Sequence, residues 1–217
     1  MRQQWFAVAV LAVGFVCCGV LPWSWSQTAI PSSARYQIDP ARSSIVVHVF
    51  VGGLFSVFGH EHTIAARSFA GNAGLASGLI GPATLEVAID SGSLAETSSQ
   101  FSPEDRTKID DTMHRQVLES DKYPQIIFKG TEVSITGANG REYNARIAGK
   151  LTLHGVTRAI AVNARAVVNG STIQATGEFS VKHSDYGMKR ISVAGGTVKV
   201  KDDIKITFSV VASRSPR

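Results

Sequence analysis

Alternation of apolar and polar positions dominates this chain. Leu151 and Leu153 alternate with Thr152 and His154, the period-2 signature of a strand with one wet and one dry face. Gly155 interrupts the pattern, which Ala159 to Ala164 resumes, so the two runs read as a hairpin. Ile45, Val47 and Val49 share one face of a strongly β segment, with Ser44, Val46, His48 and Phe50 on the other. Leu85, Val87 and Ile89 alternate with Glu86, Ala88 and Asp90, and Ile126 and Phe128 open a further strand continued by Val133 and Ile135. Asn139-Gly140 and Asn169-Gly170 are hairpin turns, because Asn and Gly tolerate positive φ. Thr172 to Val181 and Val198 to Val211 complete the extended segments, with Asp202-Asp203 marking a bulge in the last. Ser68 to Ser77 is small and turn-like.

One helix interrupts this series. Ser102 suits the N-cap, Pro103 the first helical position, and Glu104 and Asp105 the positive end of the helix dipole. Ile109, Met113, Val117 and Leu118 recur at helical spacing, one narrow apolar stripe that covers something. About eight extended segments in up-and-down order fit a β-sandwich or a barrel, and a lone helix placed over an opening favours the barrel. The fold expected is therefore all-β: an eight-stranded antiparallel up-and-down lipocalin-like barrel with one surface or capping helix.

The N-terminal segment changes the picture of where the protein works. Arg2 precedes an uncharged apolar run from Trp5 to Leu21, Pro22 ends it, and Ser24-Trp25-Ser26 places small residues before Gln27. This reads as a signal peptide over 1–26, followed by a linker over 27–34 and one domain over 35–213. A retained membrane anchor is the competing reading. Export to the periplasm, or secretion, is the expectation. Both cysteines, Cys17 and Cys18, fall in the removed part, which leaves no disulfide, thiolate metal site or cysteine nucleophile.

With 217 residues, 44% of them hydrophobic and 18% charged, the chain is long enough for one real core. Its net charge of +5 is modest and scattered, which argues against nucleic acid. Lys199, Lys201 and Lys205 read first as a solvated face, while transient contact with an anionic membrane surface through them stays open. Monomer and homodimer are both compatible with the sequence.

Several phrases together resemble the YceI-like proteins, exported lipocalin-like barrels that bind a polyisoprenoid chain. They are Tyr36-x-Ile38-Asp39-Pro40, Ser43-x-Ile45-x-Val47-x-Val49, Tyr123-Pro124-x-Ile126-x-Phe128, Gly149-x-Leu151-Thr152-Leu153-His154-Gly155-Val156-Thr157 and Asp185-Tyr186-Gly187-Met188. The chain departs from the family pattern at Val51, where a His is frequent, at His183, where Arg is frequent, and at Tyr186, which replaces Phe. The run Gly59-His60-Glu61-His62-Thr63-Ile64 is not general to the family either. The resemblance implies a lumen that takes an apolar chain, an isoprenoid lipid or isoprenoid quinone, in a binding protein without catalysis or cofactor. The candidate lumen residues are Ile45, Val47, Val49, Leu85, Val87, Ile89, Met113, Ile126, Phe128, Leu151, Leu153 and Phe179. Taken one at a time, each also fits a dry core.

The sharpest rival is metal chemistry. His60 and His62 at i and i+2 share a strand face and can reach one metal, with His48, His114 or His183 as third ligand, which makes a small metal-dependent enzyme the alternative function. No HExxH spacing or Cys partner supports it. Glu61 and Asp185 are the acid–base candidates, and no G-x-S-x-G is present.

Overall fold

The computed structural model describes residues 34–52, 61–75, 83–193 and 198–215. The signal-peptide reading, Cys17, Cys18, His60 and the extended run Leu54 to Phe58 lie outside the described residues.

Twelve strands are described: β1 (Ala34–Ile38), β2 (Ser44–Gly52), β3 (His62–Ala66), β4 (Phe69–Leu75), β5 (Ala83–Asp90), β6 (Leu94–Glu96), β7 (Gln125–Asn139), β8 (Glu142–Leu153), β9 (Val156–Asn169), β10 (Thr172–Lys182), β11 (Ser192–Val193) and β12 (Val198–Arg214). They make an eight-stranded barrel because three staves are each bent in two and β11 is a two-residue strand that only pairs with β12 beside the ring. β1 continues into β2, β3 into β4, and β5 into β6, and these staves pair piece by piece: β2 with β3, β1 with β4, β4 with β5, β3 with β6. β5 then pairs with β7, and β7 through β10 follow as antiparallel neighbours to β12. β12 closes the ring, its first part on β2 and its last residues on β1, where Tyr36 faces Arg214 and Ile38 faces Ala212. The described residues form a closed antiparallel barrel with one α-helix.

The three bends lie side by side and are stitched by short polar side chains. Asp39 Oδ1 accepts from Ala41 N at 3.0 Å and Asp90 Oδ1 from Gly92 N at 2.9 Å, each capping a single 3-10 turn. Ser93 Oγ accepts from Ser68 N at 3.0 Å, and Ser43 Oγ accepts from Val211 N at 2.9 Å. Asx and Ser side chains thus satisfy backbone groups that the interrupted ladder leaves open.

Two sequence expectations need correction. The small segment read as turn-like contains β4, whose glycines are demanded by close packing: a Cβ on Gly71 would lie 2.5 Å from Ile38 Cδ1 and 2.7 Å from the Glu86 carbonyl. The helix is also shorter than its stripe. α1 (Pro103–Thr112) starts as expected, with Ser102 Oγ accepting from Asp105 N at 3.1 Å, but it buries no residue. The chain then widens into a π turn, Met113–Val117, and the buried apolar residues, Met113 and Leu118, belong to it and to the position just after it.

The bulge expected at Asp202-Asp203 is present as a register shift between Val200 and Ile204. The β8–β9 turn is formed by His154 and Gly155 at φ 51° and 73°, the positive-φ pair of a tight hairpin whose twist matches its strands.

Two substitutions test this account. Gly149 lies under the Phe128 ring, where a Cβ would come within 2.8 Å of Phe128 and 2.5 Å of the Lys129 carbonyl. Gly149→Ala therefore overpacks the wall and costs about 2 kcal/mol, read as a lowered urea midpoint at unchanged slope. Tyr186 is 1% exposed and its hydroxyl has no hydrogen-bond partner among the described residues. Tyr186→Phe removes an unsatisfied buried group and raises stability by up to about 1 kcal/mol in the same measurement.

Candidate functional site

The inner faces of the staves surround a cavity of about 250 Å³. All twelve candidate lumen residues lie on its wall, from Ile45, Val47 and Val49 on β2 to Phe179 on β10. The wall also takes residues that the sequence reading did not assign to it. Ile204, Ile206, Phe208 and Val210 of β12 line it, and their alternation was visible in the sequence. Ile38, Ile64 and Leu94 come from the bent staves. Among the described lining residues the one polar side chain is that of His183.

A second space of about 320 Å³ adjoins the first and shares Val49, Ile64, Met113, Val117 and His183 with it. Its remaining wall comes from α1, through Lys108, Ile109 and Thr112, from His62, and from Lys189, Ile191 and Val200. The helix thus borders the vestibule while the π turn reaches into the lumen. Lys108 is paired with Asp105 at 3.2 Å, and Lys189 is exposed.

Buried polar groups hold this end of the barrel in place. Glu96 is 3% exposed; its Oε1 accepts from the backbone N–H of Thr63, Thr97 and Ser98 at 3.1, 2.9 and 2.8 Å, and its Oε2 from His62 Nδ1 at 2.8 Å. Asp110 of α1 accepts from Glu96 N at 2.7 Å, which pins the helix to β6. The His62 ring stacks on Phe101, centroids 5.2 Å apart. His154 joins two turns, with Nε2 2.7 Å from Glu119 Oε2 and Nδ1 3.1 Å from the Tyr186 carbonyl, while Tyr123 packs on its ring.

His183 is 4% exposed. Its Nδ1 lies 3.1 Å from the Asp202 carbonyl, and its backbone N–H donates to the same oxygen at 2.9 Å. Burial pushes the imidazole below its usual pKa, opposed by the carbonyls of Asp202 and Lys201 and by the Asp202 charge.

Each described histidine proposed for a metal has a hydrogen-bond partner of its own. His48 bonds Thr207 Oγ1 at 3.2 Å, His114 bonds Ser120 Oγ at 3.1 Å, and His62 is engaged by Glu96. Among the described residues no group of three His, Cys, Asp or Glu side chains is placed to hold a metal ion. Glu61 and Asp185 are both exposed, and Lys205 is paired with Glu178 at 2.8 Å.

Closed ring, surface helix and oily lumen define the class: a lipocalin-like β-barrel. The model of the YceI-like domain matches residues 36–212, and the chain belongs to that family. The structure is similar to that of BcnA from Burkholderia cenocepacia, at 19% identity and a TM-score of 0.58 over 81% of this chain and 99% of that one. It is also similar to a polyisoprenoid binding domain from Saccharophagus degradans implicated in plant cell wall breakdown, at 14% identity and a TM-score of 0.62 over 83% and 98%. At these identities the likeness speaks for the fold. No match was found among curated proteins.

The burial of His183 has a pH consequence. Its native pKa lies below the ordinary 6.5, so both states are neutral above that value and the group contributes no pH dependence there. Below about 6.5 the unfolded chain takes up a proton that the native chain resists, and stability falls as pH drops towards the native pKa. The stability of His183→Leu should therefore improve relative to wild type between pH 7 and pH 5.5, compared by urea melts at the two values.

Proposed function

We propose that this protein is a non-catalytic binding or carrier protein that encloses the apolar chain of an isoprenoid lipid, a polyprenyl chain or isoprenoid quinone, in its lumen. The observation that carries the reading is the cavity itself, walled among the described residues by aliphatic and aromatic side chains with a single polar exception. Such a wall offers a ligand burial and almost no hydrogen bonding. Burial contributes up to about 0.8 kcal/mol per CH2-like carbon, whereas one hydrogen bond contributes about 1 kcal/mol net. Tail contacts therefore dominate affinity, and the head group modulates it.

The isoprenoid part of the reading leans on family membership and on the likeness to a polyisoprenoid binding domain. The vestibule bordered by α1 and Lys189 is the proposed route of entry. Delivery to or from a membrane surface and work outside the cytoplasm belong to the same proposal, which the apolar run Trp5 to Leu21 motivates. Intact mass of the exported protein should correspond to a chain beginning at Gln27.

Affinity should climb at least tenfold for each isoprene unit added to a series of prenols, until the lumen is full, and then level off. Titration of delipidated protein by native mass spectrometry, beside lipid extraction of gently purified protein, measures this. Absence of both co-purified lipid and prenol binding overturns the carrier reading. Equal binding of straight acyl chains of matched carbon number overturns its isoprenoid part.

A further inference from the structure

His183 is the one described side chain able to hydrogen-bond a ligand from the lumen wall, and it sits at the neck, on both the lumen and the vestibule. Its chemistry there is restricted by its neighbour. The Asp202 carbonyl 3.1 Å from Nδ1 can only accept, so Nδ1 carries the ring hydrogen. Nε2 is then the ring nitrogen that carries the lone pair. Burial favours the neutral ring, which keeps Nε2 an acceptor rather than a donor.

A lone acceptor at the rim of an oily tube discriminates between polar ends that differ little in size. A hydroxyl can donate to it. An ether oxygen or a quinone carbonyl brings only lone pairs, which leaves both acceptors unpaired in a low-dielectric site. An anionic oxygen would meet the same lone pair. The two vestibule cations do not alter this at the neck, since Lys108 is engaged by Asp105 and Lys189 is exposed.

We propose that His183 anchors the polar end of the bound lipid by accepting a hydrogen bond from a hydroxyl, so that the barrel selects an alcohol, phenol or quinol over the tail-matched ether or quinone. This rests on the carrier reading and deepens it. The tail then occupies the lumen beyond the neck, and the hydroxyl stays level with Val49, Ile64, Met113 and Val117.

The test uses two probes of identical tail, geranylgeraniol and its methyl ether, titrated into delipidated full-length protein. The wild type should bind the alcohol about five- to tenfold more tightly than the ether. His183→Phe should reduce that ratio to less than about twofold while still binding the ether, which also reports an intact fold. A readout without any variant is the ¹⁵N chemical shift of His183 Nε2, which should move towards the hydrogen-bonded range with the alcohol and stay put with the ether. Equal affinities in the wild type, or an unmoved Nε2 signal in the alcohol complex, overturn the anchor and leave the carrier reading standing. Failure of both probes to bind sinks the carrier reading and the anchor with it.

Discussion

Everything in this molecule depends on one seam, the pairing of β12 with β2 and, at its end, with β1. A sheet left open there would expose two rows of unpaired N–H and C=O groups, an invitation to pairing with other chains. Closure satisfies those groups around the ring. It also encloses the inner face, so side chains pointing inward escape water without a second sheet packing on them. β12 can close the ring because it is long enough for two partners, and the bulge between Val200 and Ile204 lets it turn as it passes along β2 on its way to β1.

With the backbone satisfied by closure, the side chains are free to leave the centre open. Protein interiors are close-packed, and an unfilled apolar cavity costs roughly 24 cal/mol per Å³. For about 250 Å³ that is on the order of 6 kcal/mol. The wall is built mainly from Val, Ile and Leu, whose branched side chains stand on the strands without reaching across the lumen, and its few Phe rings are accommodated locally. Phe128 lies over Gly149 and Phe208 over Gly177, each glycine vacating the wall where a ring presses against it. Filling this space with hydrocarbon recovers dispersion contacts that the empty barrel lacks, so the ligand stabilises the state that binds it.

Much of this was legible in alternation alone, since Ile45-Val47-Val49, Leu85-Val87-Ile89 and Leu151-Leu153 report both a strand and its inner face. β4 was not, because the demand on Gly71 comes from Ile38 and Glu86, residues distant in sequence, and small side chains carry no period. The short β6 was missed for a related reason: three residues are too few to show alternation, and among the described residues it pairs only with β3. In the helix the stripe was real but its backbone was not wholly α-helical. Met113 and Leu118 reach the lumen through a π turn that the spacing does not distinguish from a continuing helix. Period-2 patterns also say which face is dry without saying whether that face is packed or hollow, which in a closed ring depends on how far its side chains reach.

The histidines show where residue type misleads and context corrects. His62 and His154 carry the reactive side chain most associated with metals and proton transfer, yet each is tied to a carboxylate that positions the end of the barrel. Glu96 does this most completely: its four hydrogen bonds gather β3, His62 and the chain leading to α1, so the helix is oriented by a buried carboxylate rather than by an apolar face of its own. His183 differs from both because its ring is held by backbone carbonyls, which add no formal charge. In an oily enclosure the one polar side chain on the described lumen wall carries the greatest power to discriminate among polar ends.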